Sequence, residues 1–155
     1  MLSGAGAGPA LDYHAAMKIH QAEAAVKTAG AVCVENVTGH VRRAVEGSGV
    51  EDGFVLVSVP HTTCGLVVNE DEEGLRRDIV RMAGSLLTSL AGPVGFEHDR
   101  VDNNAKAHLT SILLGHAVHL PVSGSAPVLG TWQSVFLIEM DGPRSRRLDI
   151  RVFGE

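Results

Sequence analysis

The fold is decided by residues Leu129–Arg147, LGTWQSVFLIEMDGPRSRR. Val135–Ile138 form a continuous apolar run, which is typical of a strand that is covered on both faces. Glu139 stands at the end of this run, and the following Asp-Gly-Pro sequence predicts a turn. Three arginines come next, at Arg144, Arg146 and Arg147. Glu139 is therefore either an acid/base or ligand group, or the ion-pair partner of these arginines.

The size and charge of the chain limit the kind of protein it is. Its 155 residues suffice for a single domain with its own core. Lys and Arg number 13 against 18 for Asp and Glu, a net charge of −5, which argues against a nucleic-acid-binding surface. No apolar run approaches the roughly 20 residues that cross a bilayer, so we expect no membrane span.

The N-terminus and the cysteines add two expectations. Residues 1–16, which begin with a Gly/Ala-rich stretch, predict a flexible leader, and residues 17–155 the domain. Cys33 and Cys64 form neither a close metal-binding pair nor a disulfide framework, so we expect a cytoplasmic protein.

Strands outnumber helices in the predicted secondary structure. Thr38 is expected to cap a helix that ends at Gly47, helical spacing of apolar residues predicts a second helix over 71–90, and Gly115 is expected to end a third over 105–114. In that third helix, Leu109, Ile112 and Leu113 are expected to face inward. Strands are predicted at 31–37, 54–59, 66–68, 117–122, 132–139 and 147–153. We therefore predict an α+β single domain with a largely antiparallel β-sandwich core and two to three helices.

A first polar cluster brackets the strand at 66–68. His61, Thr62 and Thr63 precede it, and Asn69 and Glu70 follow it. Both ends of such a segment can face one cleft in an antiparallel scaffold. The alternative is that the threonines satisfy backbone groups and Asn69 caps the next helix.

A second polar cluster supplies two more candidate histidines. His98 lies in a loop, and His108 follows Asp102 and Asn104. Three histidine nitrogens from His61, His98 and His108 would suit a catalytic zinc with one open position. The alternative is a core histidine at position 108 and a solvated one at position 98.

Anion binding is the third possibility. Guanidinium groups bind phosphate in a bidentate manner, and hydroxyl and amide groups complete such a shell. The arginine cluster could do so with Thr62, Thr63 and Asn104, although arginine clusters are more often solvated. The chain has no Walker-type or dinucleotide-binding glycine loop, so no nucleotide cofactor is indicated.

Three blocks together resemble the YjbQ family, also labelled secondary thiamine-phosphate synthase. They are HTTCGLVVNEDEEG from His61, EHDRVDNNAKAHLTSILLG from Glu97 and the LGTWQ block from Leu129, and the likeness covers roughly residues 17–154. The resemblance implies a compact β-sandwich domain that forms a homotrimer, with candidate sites near subunit contacts.

The family pattern assigns candidate roles to thirteen residues of this chain. It implies catalytic carboxylates at Glu70, Asp102 and Glu139, and metal ligands at His61, His98 and His108. It implies substrate binding by Thr62, Thr63, Asn69, Asn104, Trp132, Gln133 and Arg146. Asn103 replaces a second aspartate that is common in the family, which disfavours an oxygen-ligated metal relative to a histidine-ligated one. Cys64 is expected to be a small buried residue rather than a ligand.

The resemblance implies one activity, and the residues leave two others open. The implied activity joins a hydroxymethylpyrimidine diphosphate to a thiazole phosphate and releases diphosphate, with Mg²⁺ on the diphosphate. The alternatives are a hydrolase with a histidine-bound zinc, and a trimeric, non-catalytic binder of a phosphorylated metabolite. All three hypotheses predict a small-molecule ligand, and neither nucleic acid nor a membrane is expected as a partner.

Overall fold

A computed structural model describes residues 17–88, 91 and 93–155 of the chain. Its strands are β1 (Lys18–Lys27), β2 (Cys33–Asn36), β3 (Gly53–Ser58), β4 (Cys64–Glu70), β5 (Ala117–Ser123), β6 (Ala126–Pro127), β7 (Gln133–Glu139) and β8 (Ser145–Gly154). Its helices are α1 (Thr38–Ser48), α2 (Glu73–Ser85) and α3 (Ala105–Leu114), with a 3₁₀ turn at Glu97–Arg100. The predicted leader, residues 1–16, lies outside the described residues.

The strands form two antiparallel sheets. The larger has the order β1-β8-β3-β5-β6, and the smaller has the order β2-β7-β4. β7 is the central strand of the smaller sheet, as its unbroken apolar run predicts, and its residues from Val135 onward are buried. The predicted α+β fold with an antiparallel β-sandwich is therefore confirmed.

Two apolar clusters hold the layers together. The first lies between the sheets and includes Val55, Leu137 and Ile150, with α1 closing it through Val41 and Val45. The second lies on the other face of the smaller sheet, where Phe136 and Ile138 pack with Ile79 of α2 and Ala107 of α3. One face of the larger sheet is left without a covering element among the described residues.

Two predicted helix caps are wrong. Asn69 does not cap α2, because it belongs to β4; Glu72 does so instead and accepts hydrogen bonds from the N–H groups of Gly74 and Leu75. Thr38 does not cap α1, because its hydroxyl accepts the N–H of Val135 in the neighbouring sheet, 2.9 Å away.

Helix α3 has the predicted bounds but faces the opposite way. Leu109, Ile112 and Leu113 are 37%, 75% and 62% exposed, whereas Ala105, Ala107, Thr110 and Ser111 are buried. The cause is close approach to β4: a Cβ on Gly65 would lie 2.7 Å from Leu114 Cβ, and Ser111 Oγ donates to the carbonyl oxygen of Cys64 at 2.8 Å. Only small side chains fit between the two elements.

Within the described ranges, no helix combines the length and the apolar character that a membrane span requires. The longest of them, α2, has 13 residues and carries several charged side chains.

Candidate functional site

A polar cavity of about 340 Å³ opens where three loops meet. The loops are those before β4, before α3 and between β7 and β8. The cavity brings together eight of the residues expected from the sequence, and two other described residues join them. The expected ones are His61, Thr62, Thr63, Asp102, Asn104, His108, Arg144 and Arg146, and the others are Pro60 and Asp141.

Arg146, which lines this cavity, forms a buried ion pair with Glu139 behind the cavity wall. Arg146 Nε donates to Glu139 Oε2 at 2.6 Å, and Arg146 Nη2 donates to Oε1 at 2.5 Å. Glu139 is 0% exposed and also accepts the N–H groups of Met140 and Asp141. Burial alone would raise the pKa of Glu139, but the hydrogen bonds and charge of Arg146 outweigh it and lower that pKa. Of the two interpretations of Glu139, the structure shows the ion pair with an arginine.

The pair leaves one end of Arg146 available to the cavity. Arg146 Nη2 also donates to Thr63 Oγ1 at 2.8 Å, so both of its hydrogens are used. Arg146 Nη1 makes no hydrogen bond to any residue that the structure describes, and Arg146 lines the cavity. A fixed, charged donor with free N–H groups is therefore held at the cavity wall.

His61 is presented to the cavity in its neutral form. The backbone N–H of Arg147 donates to His61 Nε2 at 2.9 Å, so this nitrogen keeps a lone pair and the proton lies on Nδ1. Burial, and next the charge of Arg146, lower the pKa of His61 and so favour the same neutral state. Nδ1–H is then the ring group that remains for a ligand.

Asn104 joins the two acidic side chains of the cavity. Its Nδ2 donates to Asp102 Oδ2 at 3.2 Å and to Asp141 Oδ2 at 3.1 Å. Asp141 is also paired with Arg144 at 2.7 Å. Burial would raise the pKa of Asp141, but hydrogen bonds from Asn104 and Arg144 lower it overall, so the carboxylate is ionised. These two carboxylates form an acidic edge of the cavity, which Arg146 also lines.

The three histidines expected to bind zinc are only partly brought together. The rings of His98 and His108 lie edge to face with centroids 4.9 Å apart, and His61 and His108 line the same cavity. In the part of the chain that the structure covers, no three His, Cys, Asp or Glu side chains are arranged to hold one metal ion. The zinc site stays a prediction, and the occupied His61 Nε2 does not favour it.

A second, larger cavity adjoins the polar one. It has a volume of about 660 Å³ and shares Pro60, His61, Thr62 and His108 with its neighbour. Val59, Ser111, Ile112, Gly115 and His116 complete it. None of the described residues that line this cavity is Asp, Glu, Lys or Arg, so it suits an uncharged group next to the polar cavity.

The remaining expected site residues lie at the far end of the smaller sheet. Cys64 pairs with Glu139 at one end of the β4–β7 ladder, and Glu70 pairs with Gln133 at the other. Six residue steps at about 3.3 Å separate these ends by about 20 Å. The expectation that both ends of the 61–70 segment share one cleft is therefore wrong within a single chain.

The Gly-Thr-Trp-Gln block forms a hydrogen-bonded turn at that far end. Gln133 closes it, since Gly130 N–H donates to Gln133 Oε1 at 2.8 Å and Gln133 N–H donates to the Gly130 carbonyl at 2.9 Å. Trp132 is 71% exposed at its tip, and Asn69 is exposed on the neighbouring strand. In this chain, the Gln133 side chain supports the turn.

Besides Asp141 of the cavity, two residues that support the ion pair were missed in the sequence. Thr28 Oγ1 donates to Glu139 Oε2 at 3.1 Å and accepts the N–H of Arg144 at 2.9 Å. Gly142 lets this turn pack closely, because a Cβ there would lie 2.7 Å from Glu139 Cγ. The Asp-Gly-Pro sequence, which predicts a turn, includes Gly142. No sequence feature near residue 28 indicated Thr28.

Cys64 is buried, as expected from its surroundings. It is 0% exposed, and burial raises the pKa of its thiol to about 11. A thiol in that state is neutral and a poor ligand or nucleophile.

Comparisons with known proteins show the family. Residues 22–155 match the family described as UPF0047 protein YjbQ-like. A UPF0047 protein of Archaeoglobus fulgidus is 44% identical over 83% of this chain and 98% of its own length. One from Methanothermobacter thermautotrophicus is 35% identical over 90% and 95%.

Solved structures agree with the sequence relatives. A YbjQ-like protein of unknown function from Sulfolobus solfataricus superposes with a TM-score of 0.82 at 36% identity, over 90% of this chain and 100% of that one. A hypothetical protein from Aeropyrum pernix gives a TM-score of 0.80 at 40% identity, over 87% and 98%. The chain belongs to the YjbQ-like UPF0047 family.

Proposed function

We propose that the polar cavity binds the phosphate or diphosphate group of a small phosphorylated substrate. The observation that carries this proposal is the pairing of two fixed donors on its wall, the neutral His61 with Nδ1–H available and Arg146 with Nη1 available. Because its buried partner holds the charged donor in place when the site is empty, little further side-chain entropy is lost when a ligand binds. The hydroxyl of the exposed Thr62 adds a third donor on the same wall.

We infer that the reaction is of the thiamine-phosphate synthase type. In such a reaction a hydroxymethylpyrimidine diphosphate and a thiazole phosphate are joined and diphosphate leaves. The uncharged cavity of about 660 Å³ beside the polar one offers room for the organic part of such substrates. The role of the chain is to hold the leaving diphosphate and to place the two substrates against each other.

The donor set at the acidic edge is compatible with Mg²⁺. Mg²⁺ is usually held by one or two carboxylates together with substrate phosphates, and Asp102 and Asp141 lie within reach of one Asn104 amide. When bound there, Mg²⁺ would supply positive charge to the diphosphate. Asp102 is the more available carboxylate, because Asp141 is already paired with Arg144.

One observation favours a non-catalytic binder as the second candidate. Glu139, expected to be catalytic, is enclosed by its hydrogen-bond partners, and Glu70 lies at the far end of the sheet. Asp102 is then the only one of the three expected catalytic carboxylates that lines the cavity. A binder needs the phosphate donors alone.

We also propose that the chain assembles as a homotrimer through the outward apolar side of α3. Leu109, Ile112 and Leu113 form that side, and large apolar residues exposed together on one helix mark an association surface. Ile112 also lines the uncharged cavity, so a neighbouring subunit there would border the site.

Calorimetric titration and a turnover assay on the same samples test the proposed function. We expect inorganic diphosphate to bind wild type, Mg²⁺-dependent condensation of the two phosphorylated precursors, and loss of turnover with retained fold in Asp102→Asn. Asp78→Asn on the exposed side of α2 is the matched control and should behave as wild type. Binding without turnover would select the binder, and absence of binding would overturn both candidates.

A further inference from the structure

We propose that the outer face of the five-stranded sheet is a twofold interface with a second copy of this chain. The inference concerns the face opposite the smaller sheet, and it does not depend on the proposed function. It rests on how the strand register arranges apolar and charged side chains in rows across β1, β8, β3 and β5.

An apolar row crosses four strands of this face. The register places Ile19 beside Phe153, Phe153 beside Phe54, and Phe54 beside Pro121. Ile19 and Phe54 are 59% and 47% exposed. The rings of Phe54 and Phe153 are stacked with centroids 4.8 Å apart, so the middle of the row is a flat aromatic surface.

Charged residues of opposite sign flank the apolar row on its two sides. Two residues further along the strands, the register gives a row of Gln21, Arg151, Leu56 and His119. On the other side lie Asp52 and Glu155, joined by the hydrogen bond from Glu155 N–H to the Asp52 carbonyl at 3.0 Å. The exposed Arg151 side chain makes no hydrogen bond or ion pair with any residue in the described ranges.

The arrangement of these charges favours one orientation of two copies that meet face to face. A twofold axis along the apolar row puts that row against itself and brings the Glu155 side of one copy over the Arg151 side of the other. Because positions along the row are kept, Arg151 then faces Glu155 of the second copy, and the pair occurs twice. An axis along the strands would instead set the acidic sides against each other.

The size of the face sets the expected strength. Four strands at about 4.8 Å spacing and seven residues at about 3.4 Å give roughly 450 Å² per copy, or about 900 Å² in total, which is below the range of stable specific interfaces and typical of weak, transient association. The association is therefore concentration-dependent. This face and α3 lie on opposite sides of the β-sandwich, so both contacts can form at the same time. The contact through this face therefore joins two monomers, or two trimers if the chain forms trimers through α3.

Sedimentation velocity and native mass spectrometry of the full chain test the interface. Between about 1 and 200 μM we expect a reversible doubling of mass, to two copies or, if α3 makes trimers, to six. Arg151→Glu should weaken the doubling at least about tenfold, because it sets like charges against each other twice. Arg151→Glu with Glu155→Arg should restore it.

Two controls keep the outcome decisive. Arg42→Glu on the exposed part of α1 changes the charge equally and should leave the doubling intact. Circular dichroism and melting curves check that each variant is folded. A copy number that never doubles, or a doubling that Arg151→Glu leaves unchanged, would overturn the interface.

Discussion

Glu139 and Arg146 form a bidentate, buried ion pair between the end of β7 and the second residue of β8, with N–O distances of 2.6 and 2.5 Å. The pair holds Arg146 rigid at the wall of the polar cavity, and Thr28 and Thr63 complete its shell. The sequence left Glu139 open as a catalytic group. In the structure, Glu139 instead positions the cationic donor Arg146.

Breaking this pair from one side should destabilise the fold. Arg146→Met leaves Glu139 buried without its cationic partner, and we expect a loss of about 3–5 kcal/mol in the free energy of unfolding by urea titration. The double variant Glu139→Leu with Arg146→Met removes both charges and should recover most of that loss. A single variant that costs under about 1 kcal/mol would contradict the description of the pair.

Gly65 should tolerate no side chain. In Gly65→Ala the new Cβ lies 2.7 Å from Leu114 Cβ and 2.9 Å from the Gly115 carbonyl oxygen, and α3 must move away from β4. We expect a loss of about 1–3 kcal/mol in the free energy of unfolding.

The matched control for Gly65 is Gly47→Ala in α1. Its Cβ would meet nothing within 4 Å, and alanine favours a helix, so a gain of about 0.5–1 kcal/mol is expected. Equal effects of the two substitutions would show that the close packing of α3 on β4 is not the cause.

His61 should make stability depend on pH. Its pKa in the folded chain lies below the unfolded value of about 6.5, so the unfolded chain binds more protons just below that pH. Stability that is present at about pH 7 is therefore lost as the pH falls below this unfolded value. His61→Gln should flatten this part of the curve in chemical denaturation at several pH values.

A second acidic loss is expected from the carboxylates. Asp141 and Glu139 have lowered pKa values, so their contribution is present above the unfolded values of about 4 and is lost below them. For the His61 prediction, identical curves for wild type and His61→Gln on the acidic side of about pH 6.5, above the range in which the carboxylates titrate, would contradict the neutral state of His61.

Elemental analysis tests the zinc prediction. Because His61 Nε2 already accepts a hydrogen bond, and no three donors converge in the described residues, we expect purified protein to contain far less than one zinc per chain. Stoichiometric zinc that is lost in His108→Ala would instead establish a histidine-bound metal and favour the hydrolase.

Much of the fold was predictable because the deciding strands have strong local signals. The apolar run of β7 and the limits of α3 at Ala105 and Gly115 followed from composition and spacing. Strand β1 was missed because its inward positions are His20, Ala22, Ala24 and Val26, and alanines give a weak alternating pattern. Strand β1 ends at Lys27, and Thr28 follows it directly.

The site was predictable only where its residues lie at one end of the sheet. His61, Thr62, Asn104 and Arg146 were expected and do share a cavity. The orientation of α3 and the distance of Glu70 from Glu139 depend on which end of a strand a residue occupies and on close packing at Gly65. Neither is encoded in the local pattern of side chains.

The most direct test of the phosphate-binding claim is calorimetric titration of inorganic diphosphate into wild type, His61→Gln and His61→Leu. A neutral donor can be replaced by the glutamine amide, which both accepts from Arg147 N–H and donates to a ligand, whereas leucine can do neither. We predict near wild-type affinity for His61→Gln and about a ten- to hundredfold loss for His61→Leu. Equal loss in both variants, or no binding by wild type, would contradict the claim.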